Sequence, residues 1–305
     1  MGKIAFVFSG QGSQYTGMGK DLYDCSPAAK AVFDMADSIR EGTSAQCFEA
    51  DKEVLNRTVN TQPCVFTVDL AAAAAVVEKG IKPDYVAGFS LGEIAGLGFS
   101  GMLSYEEAFK LVCKRGELMD ISANERKSTM VAVLKLPPEK VEEIAAEFED
   151  TYPVNYNSPA QTVVATSEEN ADKFAEAVKA EKGRGVKLAV SGGFHSPFMN
   201  SAAKGLGEYL ENISISEPKV PLYSNVTARP YGSDDFSKDY RSLIKAQVIS
   251  PVQWQKTVEN LIKEGVDTFI EVGVGKTLSG LIKKINGDVK VFNVDNKETL
   301  DALDI

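Results

Sequence analysis

Imidazole is scarce in this chain: its 305 residues include one histidine, His195. Any reaction that needs an imidazole base has one place to find it. Cysteine is sparse too, and Cys25, Cys47, Cys64 and Cys113 have neither metal-ligand nor Cys-x-x-Cys spacing. That excludes a disulfide framework and leaves four reduced thiols with no assigned chemistry and no metal site. Positive charge is in deficit, with 33 Lys and Arg against 43 Asp and Glu and a net charge of −10. Such a balance argues against a nucleic-acid partner, and any anionic substrate then needs a local positive site. No apolar run is long enough to cross a bilayer: the longest, "PCVFTVDLAAAAAVV", carries Asp69 and falls short of about 20 residues. The opening "MGKIAFVFSG" lacks a signal-peptide pattern, and Phe6 stands where a myristoylation motif needs Ser or Thr. A soluble cytoplasmic protein with no membrane partner is expected.

With 44% apolar and 25% charged residues, the chain can bury a large core in one large domain or two. "KIAFVFSG" reads as a buried parallel strand and "GQGSQYTGMG" as the loop after it. Helical patterns follow to about residue 80, the alanine run 71–75 among them. The rhythm then changes between 128 and 191: strand "MVAVLKL", helix "PPEKVEEIAAEFED", strands "VNYNS" and "TVVATS", helix "EENADKFAEAVKAEK", strand "GVKLAVS". That β-α-β-β-α-β order is the ferredoxin-like arrangement. Strands of the larger unit resume at "VPLYSNVTA" and "VDTFIEV". The expected fold class is α/β: a large α/β-hydrolase-like domain with a parallel sheet, formed by 1–127 and 192–305, carrying an inserted ferredoxin-like α+β domain at 128–191.

Gly88-Phe89-Ser90-Leu91-Gly92 fits the nucleophile elbow G-x-S-x-G, between the predicted strand "DYVAGF" and the predicted helix "LGEIAGLGFSG". Glycine on either side of the serine relieves a crowded strand-to-helix turn, although a tight turn without chemistry would have the same residues. A serine hydroxyl needs a base, and a helix N-terminus at Leu91 suits an oxyanion. A lone histidine is commonly structural. His195, in the loop "VSGGFHSPFMNSA" where the chain re-enters the larger unit, is nevertheless the one imidazole that Ser90 could use. Read alone, Arg115 is more readily a solvated or structurally paired helix arginine than a binding residue.

The stretches "FSGQGSQYTGMG", "GFSLGE", "KRGELM", "YNSP", "GGFHSPFM", "SNVTA", "SPVQW" and "EVGVGKTLSGLIKKI" resemble, in order and over nearly the whole chain, the malonyl-CoA:acyl carrier protein transacylase family. The resemblance implies that Ser90 attacks the thioester of malonyl-CoA and that His195 takes its proton and returns one to the leaving thiol. It also implies that the backbone N–H groups of Gln11 and Leu91 bind the oxyanion and that Arg115 grips the free malonyl carboxylate. A planar guanidinium suits that task, because it gives a carboxylate two parallel charge-assisted hydrogen bonds.

The family usually has histidine before the nucleophile; here Phe89 stands there, which implies a more apolar wall beside Ser90. Phe194 resembles malonyl-selective members. No acidic third residue is evident, so a Ser-His dyad is expected, with a carbonyl oxygen orienting the imidazole. The resemblance places that acceptor at Gln247, and Asn157 is a second polar candidate, though "YNSP" suits a turn as well. The implied partners are malonyl-CoA and holo acyl carrier protein, which brings its own phosphopantetheine; no bound cofactor is implied. An acidic carrier needs local basic surface on this chain, for which 179–187, Lys276, Lys283 and Lys284 are candidates.

Two rival readings share the sequence. A serine esterase or thioesterase would use the same elbow without needing Arg115, and a non-catalytic carrier-binding scaffold would not need Ser90, His195 and Arg115 together. "GVGKT" at 273–277 is not a phosphate loop, since Ile270 stands where that motif needs glycine, and "GQGSQY" has Tyr15 in place of the third glycine of a dinucleotide fingerprint.

Overall fold

The computed structural model describes residues 2–305. Among the described residues nine strands form two sheets: β1 (Lys3–Phe8), β2 (Tyr85–Gly88), β3 (Ser128–Leu134), β4 (Thr151–Ser158), β5 (Gln161–Ser167), β6 (Arg184–Lys187), β7 (Leu222–Tyr223), β8 (Val266–Val272) and β9 (Lys290–Val294). The larger sheet has the order β7-β2-β1-β8-β9 and is parallel throughout. Its central strand shows why: Ala5, Phe6, Val7 and Phe8 are all fully buried. A strand covered on both faces reads as a continuous apolar run, and parallel sheets need such covering from their crossover helices. The helix Thr58–Glu78 supplies much of it and is itself apolar nearly all round, as a helix enclosed by other elements must be.

The smaller sheet has the order β4-β5-β3-β6, every pairing antiparallel. Alternation along β3 and β5 serves two cores. Val131, Val133 and Val164 point to the helices Pro138–Ala145 and Glu168–Ala180. Met130, Ala132, Val163 and Ala165 join the main core on the other face. The sheet is also tied to the larger unit by backbone hydrogen bonds from Val252 to Val154 at 2.8 Å and from Tyr156 to Val252 at 2.9 Å. Among the described residues no helix is long and apolar enough to cross a membrane.

Several elements differ from the sequence expectation, and the strand expected within 220–228 is reduced to Leu222–Tyr223. The strand expected over 185–191 leaves the sheet after Lys187, and Leu188 and Val190 instead line a cavity described below. The helix expected over 137–150 ends at Ala145; the chain tightens there through Glu147→Ile144 and Phe148→Ala145 bonds and reverses at Asp150, whose φ is 52°. The edge strand β9 is not anticipated, because "KVFNV" is too short and too little buried to show a clear period.

Candidate active site

The turn after β2 is shaped by sterics. Ser90 has φ 54° and ψ −109°, a backbone conformation that costs an L-residue about 1–3 kcal/mol and persists only where the surroundings hold it. They do so here. A β-carbon on Gly88 would lie 2.0 Å from the carbonyl carbon of Gly92, and one on Gly92 would lie 2.3 Å from the Phe8 oxygen. Both glycines of the motif are therefore required by close backbone approach. Asn225 completes the clamp: its Oδ1 accepts the Ser90 N–H at 2.8 Å and its Nδ2 donates to the Gly88 carbonyl at 2.6 Å.

His195 reaches this turn from the loop after β6, itself at a positive φ of 60°. Its Nδ1 lies 2.8 Å from the Gln247 carbonyl oxygen and its Nε2 lies 2.7 Å from Ser90 Oγ. A carbonyl can only accept, so Nδ1 carries the proton and Nε2 turns a lone pair to the serine hydroxyl. Burial, and then the positive charge of Arg115, lower the His195 pKa to about 4, so the ring is neutral at pH 7.

Arg115, on the helix Tyr105–Glu125, is almost wholly buried, and its guanidinium converges on the same point. Nη2 donates to Ser90 Oγ at 3.1 Å and to Gln247 Oε1 at 2.9 Å, while Nη1 donates to Gln62 Oε1 at 2.8 Å. Its Nε is buried with no partner among the described residues. Burial lowers the Arg115 pKa to about 10, with Glu93 opposing the shift, and the charge survives. Gln247 thus serves twice, holding the imidazole with its backbone and the guanidinium with its side chain. Its Nε2 is in turn fixed by the Ser90 carbonyl at 2.7 Å and by Glu93 at 3.0 Å.

Ser90, His195, Arg115, Gln11, Leu91 and Phe194 all line one cavity of about 90 Å3, together with Phe89, Gln62, Met130, Asn155, Leu188 and Val190. The Phe89 ring packs edge-on against Trp254, centroids 5.6 Å apart, and forms an apolar wall. Among the described residues the N–H groups of Gln11 and Leu91 have no hydrogen-bond acceptor; that of Leu91 is one of the unpaired amides at a helix N-terminus. Asn157 does not line the cavity. Asn155, two residues earlier on β4, does, because register shifts on either side of Asn155 and Tyr156 break the alternation that would put both asparagines on one face.

Three residues with no predicted role are central. Asn225 and Glu93 lie in the quoted stretches "SNVTA" and "GFSLGE", while Gln62 carries no sequence signal at all. The Glu93 carboxylate is buried and accepts from Tyr231 Oη at 2.7 Å, Gln247 Nε2 at 3.0 Å and the Asn225 N–H at 3.2 Å. Elsewhere, the turn 273–277 is closed to anions: Glu271 accepts the N–H groups of Leu278 and Ser279 at 3.0 and 2.7 Å, filling the helix N-terminus where a phosphate would sit.

This arrangement can do acyl transfer, and comparison with known proteins points the same way. The acyl transferase domain family model matches residues 5–290. The malonyl CoA-acyl carrier protein transacylase of Bacillus subtilis (strain 168) is 40% identical, the match covering 99% of this chain and 96% of that protein. Among solved structures, the malonyl CoA-acyl carrier protein transacylase from Clostridium perfringens superposes with a TM-score of 0.93 at 38% identity, covering 98% of this chain and 95% of that one. A malonyl-transacylase in complex with its holo type II PKS acyl-carrier protein superposes with a TM-score of 0.93 at 32% identity, covering 98% of each chain. With nearly its whole length matched in sequence and in fold, the chain belongs to the malonyl CoA-acyl carrier protein transacylase family.

Proposed function

We propose that the chain moves a malonyl group from malonyl-CoA to the phosphopantetheine thiol of holo acyl carrier protein by a ping-pong route through malonyl-Ser90, as a cytoplasmic enzyme of fatty-acid synthesis. The observation that carries this reading is the Arg115 guanidinium, buried and 3.1 Å from Ser90 Oγ. The guanidinium faces the nucleophile with a donor to spare, its Nε being buried and unpartnered among the described residues, and a carboxylate two bonds from the reacting carbonyl is within its reach.

In the first half-reaction the Ser90 O–H proton passes to His195 Nε2 as Oγ bonds to the thioester carbon. The oxyanion lies between the N–H groups of Gln11 and Leu91. Its collapse breaks the C–S bond, and the imidazolium gives its proton to the departing sulfur. The carrier thiol reverses these steps. Once the malonyl carboxylate offsets the Arg115 charge, one of the two causes of the low His195 pKa weakens, and the imidazole becomes a better base when the right substrate is present. Phe194 lines the cavity beside His195, and Gln247 is the positioning residue of the dyad. Asn157 has no place in this scheme; Asn155 supplies the polar side chain on that wall.

The larger unit is read as α/β-hydrolase-like, formed by 1–127 and 192–305. The segment 128–191 is read as a ferredoxin-like insertion, for which the order β4-β5-β3-β6 is the support. Lys179 at the end of its second helix, Lys182 in the following turn, and Arg184 and Lys187 on the edge strand are all exposed, and that strand runs directly into Leu188 and Val190 at the cavity, a suitable approach for an acidic carrier. Lys283 is less suited, since its Nζ is engaged by the carbonyls of Gly287 and Val289 at 3.2 and 2.6 Å.

The test is intact-protein mass spectrometry after mixing with malonyl-CoA, chased with holo acyl carrier protein, beside the Ser90→Ala variant. A malonyl adduct absent from the variant and passed to the carrier supports transfer. An adduct lost equally fast to buffer means a thioesterase, and no adduct means a scaffold or another donor.

A further inference from the structure

Beneath the cavity lies an acid that the scheme above does not use. Glu93 is 1% exposed, and all three groups touching its carboxylate are donors: Tyr231 Oη, Gln247 Nε2 and the Asn225 N–H. Three donors and, among the described residues, no acceptor favour the ionised form. The positive charge that balances it is Arg115, joined to it through one side chain, since Gln247 gives Nε2 to Glu93 and takes Arg115 Nη2 on Oε1. Among the groups of this cluster that titrate, Tyr231 faces Glu93 directly and is pushed far above its usual value by burial, then by Glu93 itself, so it stays neutral. Arg115 stays charged below a pKa of about 10, and His195, beyond Gln247, stays neutral above about 4.

We infer that Glu93 is the internal counter-charge of Arg115, that its ionisation sets how tightly the guanidinium holds an anionic acyl group, and that malonyl binding draws a proton onto Glu93. The inference rests on Arg115 being the carboxylate clamp of the proposed transfer. A malonyl carboxylate brings a second anion to a buried cation that already has one, and two carboxylates sharing one guanidinium in a dry site cannot both stay ionised at little cost. Protonation of Glu93 relieves the conflict, frees Arg115 for the substrate and restores the Glu93 charge when the acyl group leaves. A neutral acetyl group makes no such demand. Burial, opposed by the three hydrogen bonds and Arg115, brings the Glu93 pKa to about 7, where this exchange is easy.

The direct test is calorimetric binding of malonyl-CoA and of acetyl-CoA to Ser90→Ala protein at pH 7.5, in buffers of different ionisation enthalpy. The CoA phosphates are common to both ligands and cancel. Extra proton uptake with malonyl-CoA, lost when Glu93→Gln is added, is the expected result. A glutamine amide there can keep the contacts, its carbonyl accepting from Gln247 and Asn225 and its NH2 facing the Tyr231 oxygen.

In kinetics on protein with Ser90 intact, the ratio of malonyl to acetyl KM should rise between pH 6 and 8, by at most about tenfold per pH unit, and should be flat in Glu93→Gln. Tyr231→Phe removes one donor to the carboxylate and should move the midpoint to higher pH, which keeps the test open if Glu93→Gln folds poorly. Equal proton uptake with both ligands, or a pH-dependent ratio surviving in Glu93→Gln, overturns the inference. Arg115→Ala separates the two levels: if it slows both donors alike, the clamp reading itself fails, and if it slows malonyl alone, only the role of Glu93 is in question.

Discussion

Asn225 and Ser90 are 135 residues apart in the chain and 2.8 Å apart in the fold, where the asparagine Oδ1 takes the N–H of the proposed nucleophile. The same side chain donates to the Gly88 carbonyl, so one amide holds both arms of a turn whose central residue sits at φ 54°. Asn225→Ala leaves a buried N–H and a buried C=O unpaired and lets the strained turn relax. A loss of about 2–4 kcal/mol is expected from those two groups. The urea midpoint should fall accordingly, and kcat/KM should drop further than stability does, since Ser90 Oγ then leaves the line of His195 Nε2. Unchanged kcat/KM in folded Asn225→Ala protein would show that the elbow keeps its shape unaided.

The acid limb of activity should lie unusually low. As the proposed base, His195 acts only when neutral, and burial followed by the Arg115 charge brings its pKa to about 4, below the ordinary 6.5. Activity that needs the neutral ring is therefore retained from pH 7 down to about 5 and lost as pH falls through about 4. An acetyl thioester is the suitable substrate, because it carries no charge for Arg115 to hold. The measurement is kcat/KM against pH in the free enzyme, with far-UV circular dichroism recorded at each point. A midpoint near 6.5 would mean that solvent reaches the ring.

Much of this site is legible in the sequence because local sterics and scarcity mark it. Gly88 and Gly92 are dictated by contacts within the turn and with β1, and His195 has no competitor for its role. Local periodicity likewise reveals the β-α-β-β-α-β order of 128–191. What is hidden is held by long-range contacts. Gln62 meets Arg115 from another helix, 53 positions away, and Glu93 looks like an exposed helix acid until Tyr231, 138 positions on, is seen to cover it. The choice of Asn155 over Asn157 turns on irregularities in β4 that no pattern of alternation discloses.

Arg115→Lys should be almost as damaging as Arg115→Ala for malonyl transfer. The guanidinium spans Gln62, Gln247 and Ser90 at once from a planar fork, whereas an ammonium can satisfy one direction well and would leave a glutamine oxygen bare. A loss of about a hundredfold or more in kcat/KM for malonyl-CoA is expected, from about 3 kcal/mol of charge-assisted bonding. Acetyl transfer, which offers Arg115 no carboxylate, should change by less than about tenfold. The ratio of the two, measured in one assay with competing donors, is the informative quantity; a common fall in both would reduce Arg115 to a support for Ser90.

Phe89 bears on what separates a transferase from a hydrolase. In the proposed ping-pong route the malonyl-Ser90 ester must survive until a carrier thiol arrives, and water is the competing nucleophile at far higher concentration. The Phe89 ring borders the cavity and is braced edge-on by Trp254, so it can narrow the approach to Ser90 without a polar atom that would order a water there. Phe89→Ala opens that wall and should raise the rate at which the acyl-enzyme decays in buffer by about tenfold or more, while acylation changes little and stability falls by about 2–4 kcal/mol. Phe89→Leu keeps an apolar wall and should decay nearly as slowly as the parent. Intact-mass measurement of the malonyl adduct over time, without carrier, distinguishes the cases. If Ala and Leu decay alike and slowly, the ester must be protected by its own orientation, with Arg115 holding the acyl group so that water cannot align, and the wall at Phe89 would then be packing for Trp254 alone.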